Sequence, residues 1–137
     1  MTKKLATAIL RNICKQYKVK VIFKNKLKNH NGTVVHGLHY PGHKKVIHIN
    51  SSIPIKYIAS AVFHELGHVY CIEYGIWSRF HSEKVSSLMA FRVENWIEWW
   101  AKNEWDRMGM RKLFGYYSFS YCKADKKKLL EWFEENA

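Results

Sequence analysis

Residues Val62 to Tyr70 read VFHELGHVY, with His64 and His68 four positions apart and Glu65 directly after the first. Residues four apart stack on one helical face, so both imidazoles can aim at one point, about 2.0–2.1 Å from a zinc ion. Glu65 is turned about 100° from His64, at 3.6 residues per turn. Its carboxylate then stands beside the metal rather than on it, where it can take a proton from a metal-activated water. Gly67 leaves room on the helix face between the two rings. Two histidines at this spacing also occur on ordinary surface helices. What separates the readings is whether the chain supplies a third ligand and a cleft.

A catalytic zinc takes three protein ligands and keeps one position for water. Glu94 is one candidate for the third, on a helical pattern running from about Glu83 to Met108. A helix–loop–helix hairpin would return it to the histidines. His81 is the other, in the connection or at the start of that helix. Glu98 shares the face of Glu94 one turn on, where it can accept the free imidazole N–H of His64 and orient the ring. Both glutamates stand among Trp96, Ile97, Trp99 and Trp100. A carboxylate among aromatics needs a cation or a donor to offset its desolvation.

Positioning these groups requires a framework, and the sequence predicts one. Leu5, Ile9, Ile13 and Tyr17 recur every four residues and predict an amphipathic first helix. Lys18–Lys24, Gly32–Tyr40 and Lys44–Asn50 read as three strands, with a hairpin signal at Asn31-Gly32 and a break at Pro41-Gly42. Two hairpins in succession make a mainly antiparallel sheet. Ser51-Ser52-Ile53-Pro54 has the form of a helix start, with serine as the cap, and Gly75 follows the predicted end at Tyr74. Leu113–Tyr121 reads as a loop or short strand, and a last helix begins at Asp125. The expectation is one α+β domain over residues 1–137, of a size that usually forms a single core.

Two further readings concern the cleft. The strand KVIHIN, just before the HExxH helix, is expected to be an edge that pairs with an extended substrate backbone, with His48 facing the cleft. His30, His36, His39 and His43 follow strand and turn spacing and read as solvated or cleft-lining. A tyrosine of the GYYSFSY stretch is a candidate oxyanion stabiliser.

Lysine and arginine total 23 against 11 acidic residues, a net charge of +12. Such a field suits DNA or an acidic protein, or reflects a lysine-rich solvated surface. Cys14, Cys71 and Cys122 are widely spaced and odd in number, which fits a reducing cytoplasm rather than a disulfide framework. The N-terminal apolar stretch is cut by Arg11, and no run approaches the roughly 20 apolar residues of a membrane span.

HELGH followed by Glu94-Asn-Trp-Ile-Glu98-Trp-Trp-Ala101 resembles the ImmA/IrrE family of bacterial and phage zinc metallopeptidases. The resemblance covers about Lys3 to Met110. It implies a minimal zincin-like fold of the gluzincin type, with one zinc per chain held by His64, His68 and Glu94. Glu65 then acts as general base in peptide-bond hydrolysis by a zinc-activated water, and a DNA-bound regulatory protein is a substrate that fits. Ile97 is larger than the family's alanine. Glu98 stands where the family has asparagine or aspartate, similar to thermolysin-like enzymes. A second resemblance stays open: Arg79-Phe-His81 and its neighbours are loosely similar to SprT-like DNA-associated proteases, in which a third histidine, here His81, completes the ligand set. A non-catalytic basic module that binds zinc, nucleic acid or protein is the third reading.

Overall fold

The structure, a computed structural model, describes residues 1–40, 43, 45–73 and 87–118. His81, Cys122, the predicted stop at Gly75, the Pro41-Gly42 break and the helix expected from Asp125 lie outside the described residues.

Helix α1 spans Lys3–Gln16, and Thr2 Oγ1 caps it by accepting the Leu5 N–H at 3.1 Å. Its buried face is Ala6, Leu10, Ile13 and Cys14. That face is turned from the expected Leu5–Ile9–Ile13–Tyr17 stripe, and Leu5 is exposed. The small Ala6 and Cys14 allow close approach to the core, whereas Ile9 and Tyr17 flank it half-buried. The helix ends in a left-handed turn at Lys18, φ 57°, with Val19 N–H on Cys14 O and Lys18 N–H on Lys15 O. Strand β1 therefore begins only at Lys20 and runs to Lys24.

The sheet differs from the expected antiparallel meander. Strand β3, Val46–Asn50, lies in the centre, parallel to β1 with Val21 opposite Ile47. Strand β2 is only Gly37–Leu38 and pairs antiparallel with β3 from the other side. The Asn31-Gly32 turn does form, but it closes a single bridge between Lys28 and Val34 rather than a β1–β2 hairpin. The chain thus passes over β3's place, turns, and comes back between its own two earlier strands. The result is an α+β fold with a mixed three-stranded sheet.

Helix α2, Ile55–Glu73, carries the HExxH motif. The serines before it do not cap it. Pro54 O accepts the Ile58 N–H, while Ser52 turns back onto Asn50 Oδ1 through both its N–H and its hydroxyl. Every residue from Ile58 to Gly67 is buried, so this is a helix enclosed on all sides rather than an amphipathic one. It packs on β3, on α1 and on helix α3, Ser87–Arg107. Gly109, at φ 75°, turns the chain into the short α4, Met110–Phe114. Tyr17, Tyr70 and Trp100 meet ring to ring at 4.9–5.8 Å and tie α1, α2 and α3 together. No described helix is long and apolar enough to cross a membrane.

Asn50 fastens the short β2 segment to this framework. Its side chain is fully buried; Nδ2 donates to Val35 O at 3.0 Å and its N–H to His36 O at 2.8 Å. Replacing Asn50 by alanine leaves Val35 O and two Ser52 donors without that partner. The expected loss is about 1–3 kcal/mol of unfolding free energy, read as a lower midpoint in urea with an unchanged slope.

Candidate metal centre

Helix α2 contributes His64, Glu65 and His68, and α3 contributes Glu94 and Glu98. The two helices can approach this closely because residue 67 has no side chain. A Cβ there would lie 2.7 Å from Ile97 Cγ2 and 3.1 Å from Ile97 O. The space at Gly67 is therefore filled by α3 and is not left open between the histidines. It also accommodates an isoleucine at position 97.

Three side chains converge. His64 Nε2 and His68 Nε2 face each other at 3.2 Å, and the Glu94 carboxylate reaches them with separate oxygens at 3.3 and 3.5 Å. Three corners of a tetrahedron with arms of 2.0–2.1 Å are about 3.3–3.4 Å apart, close to the spacing of these atoms. His64, His68 and Glu94 form a group that could hold a metal ion. Glu94 Oε2 is buried, with His64 Nε2 at 3.3 Å in ion-pair range but outside good hydrogen-bond geometry. Two imidazole nitrogens turned toward one another and a buried carboxylate facing both fit a cation between them.

The remaining bonds of His64 set its orientation. Its Nδ1 bonds Glu98 Oε1, and the same oxygen accepts the Tyr117 hydroxyl at 3.0 Å. With the Nδ1 proton held by Glu98, the Nε2 lone pair points at the site. Tyr117 is thus a supporter of Glu98, buried in the core against Trp105, and not an oxyanion donor. Sequence reasoning singled out the GYYSFSY stretch but had no signal for which phenol meets Glu98.

Charge is concentrated here. Burial would push His64 down, but the Glu94 and Glu98 carboxylates at its two nitrogens, with Glu65 nearby, raise it to about 10. Burial lowers His68 to about 4, with the charge on His64 adding to the effect. Glu94 is pushed up by burial, yet the facing histidines outweigh this and hold it below the usual carboxylate range. Burial raises Glu65 to about 7, with His64 opposing and Glu94 and Glu98 reinforcing.

Glu65, outside the His64–His68–Glu94 group, lines a cleft of roughly 530 Å³, shared with His64, Tyr57, Ser60, Gly37 and the Val34–His36 segment. A Cβ on Gly37 would meet Glu65 Cγ at 2.8 Å and Oε1 at 3.1 Å. The edge strand lies on top of this carboxylate. Because β3 has a partner on each side, it cannot be the edge strand expected from KVIHIN; β2 takes that place. His48 is not among the residues lining the cleft, and its ring meets Tyr40 instead, at 5.5 Å. His39 stands 6.3 Å from the His68 ring, and His36 lines the cleft beside Tyr57. His39 and Gly37 are the neighbours of the site that strand spacing did not reveal.

The Glu98 contact yields a measurable outcome. Glu98→Ala should weaken zinc binding by about 10–100-fold in a chelator competition. Tyr117→Phe, which removes one of two bonds on the same oxygen, should weaken it less.

Comparison with protein-family models, curated proteins and solved structures finds no match, so the reading of this centre rests on its own residues.

Proposed function

We propose that the chain is a zinc-dependent metallopeptidase of minimal zincin-like build. The observation that carries the proposal is the joint position of two groups. His64, one member of the His64–His68–Glu94 cluster, lines a cleft, and Glu65, outside the ligand set, lines the same cleft beside it under an edge strand. A purely structural site has no use for such a carboxylate.

His64, His68 and Glu94 would hold one zinc ion, which when bound supplies Lewis acidity and lowers the pKa of water toward about 7. Glu65, beside His64 in the cleft and outside the ligand set, is the carboxylate placed for that task. It takes a proton from the attacking water and returns it to the leaving amine, acting first as base and then as acid. The Glu98–His64 bond holds the ring in the tautomer this requires. Strand β2 is the sheet edge on the cleft side, and an extended peptide can add to it through main-chain hydrogen bonds, its scissile carbonyl above Glu65. A DNA-bound regulatory protein is the substrate that the family resemblance suggests.

Four variants test the assignment. Glu65→Gln should keep one zinc per chain by metal analysis and lose about 10²–10⁴-fold in cleavage of a cognate peptide; full activity in that variant would refute the base. Glu94→Ala should lose zinc while His81→Ala keeps it, and the reverse pattern selects the SprT-like ligand set. Gly37→Ala should retain zinc yet reduce turnover by about 10²-fold, because the added methyl displaces Glu65. Cleavage at wild-type rate by the chain stripped of zinc would refute the metal-dependent mechanism.

A further inference from the structure

The sequence divides by charge at the HExxH helix. Residues 1–64 contain 12 lysines and arginines and no aspartate or glutamate; Glu65 is the first acidic residue in the chain. Residues 65–137 contain 11 of each sign. The whole net charge of +12 therefore belongs to the part that builds α1, the sheet and the first half of α2.

Within that part the cations are ordered. Lys4, Arg11 and Lys15 fall within about 40° of one another around α1, along a line of about 16 Å at 1.5 Å per residue. The left-handed turn at Lys18 and the start of β1 at Lys20 continue the line, and all five side chains are exposed. Arg11 is braced: Nη1 donates to Val21 O at 3.2 Å and the guanidinium lies 4.9 Å above the Phe23 ring. Between helix and strand runs a groove of about 390 Å³, lined by Arg11, Lys15, Lys18, Val19, Lys20 and Val21, with no carboxylate in its walls.

We propose that this groove binds the sugar–phosphate backbone of a nucleic acid without reading its sequence. A row of cations along a concave surface matches a linear polyanion, and no exposed aromatic or amide side chain stands in the groove to read a base. A membrane surface fits less well. Amphipathic helices that lie on lipid insert their apolar face, and here that face, Ala6, Leu10, Ile13 and Cys14, is spent in the core. The groove follows β1, at the sheet edge opposite to β2 and its cleft. A strand of nucleic acid held there leaves the metal cleft open, so proteins on the same strand are brought to it.

The test is fluorescence anisotropy with a labelled random duplex of about 20 bp, and with single-stranded RNA of equal length, across a range of salt. If four phosphates are neutralised, log K should fall against log salt with a slope near −3.6 on the duplex. The Lys15→Gln/Lys18→Asn/Lys20→Gln variant, with asparagine chosen for its tolerance of the left-handed conformation, should bind roughly tenfold or more weakly and flatten the slope by about 2.7. Lys15→Gln alone should flatten it by about 0.9, which keeps the test valid if the triple variant fails to fold. Tighter binding to either polymer supports the proposal and identifies the natural one. The charge-matched Lys28→Gln/Lys56→Gln/Lys112→Gln variant should keep the full slope. Equal losses in both triple variants would reduce the effect to diffuse charge and overturn the groove. So would retention by phosphatidylserine vesicles with no binding to either nucleic acid.

Discussion

A carboxylate on one helix can face two imidazoles on another only if the backbones come close enough for short side chains to meet. At Gly67 the missing Cβ admits Ile97 of α3, and this contact sets the separation of α2 and α3 at the height of the site. Glu94 stands one turn before it and Glu98 one residue after it on α3, while His64 and His68 bracket it on α2. Everything polar in the centre depends on this one apolar contact. A wider gap would leave three carboxylates buried with nothing to offset their desolvation, at a cost of several kcal/mol.

The enclosure of α2 serves the same end. Ten successive buried residues hold its axis from every side, so the two rings cannot drift by rotation of the helix. The packing then extends outward in two directions. Trp105, fully buried, lies against Phe63 at 5.3 Å and Tyr117 at 5.6 Å, which delivers the Tyr117 hydroxyl to Glu98. On the other side Asn50, fully buried, holds the Val35-His36 backbone and with it the edge strand above Glu65. A core tryptophan and a core asparagine are thus linked to the two faces of one charged cluster. Neither touches it.

What the sequence made legible is what local periodicity encodes. The four-residue spacing of His64 and His68, and again of Glu94 and Glu98, needs only helical geometry, and both pairs face the same centre. Helices α1, α2 and α3 and strands β1 and β3 were readable for the same reason, though not their edges: Lys18 adopts φ 57° and shortens β1. The order of the strands was not readable. Parallel pairing of Lys20–Lys24 with Val46–Asn50 joins segments more than twenty residues apart, and the Asn31-Gly32 turn, a sound local signal, pointed to the wrong partner. The buried face of α1 was misjudged because size was read as burial; Ala6 and Cys14 go inward where Leu5 does not. Gly37 carries no chemistry of its own, and only the approach of Glu65 Cγ reveals its role.

Strand order also explains why β2 is so short. A longer β2 would need a continuous ladder with β3, and its residues would alternate side chains toward Glu65 and away from it. A side chain at the position over that carboxylate would displace it, and the glycine that avoids this weakens a strand. The chain resolves the conflict by leaving the ladder after two residues and fixing the adjoining backbone through the Asn50 side chain instead. An edge held by a buried amide keeps its register without needing length. The position of β2 relative to Glu65 is therefore set by the core, and not by the strength of its own pairing.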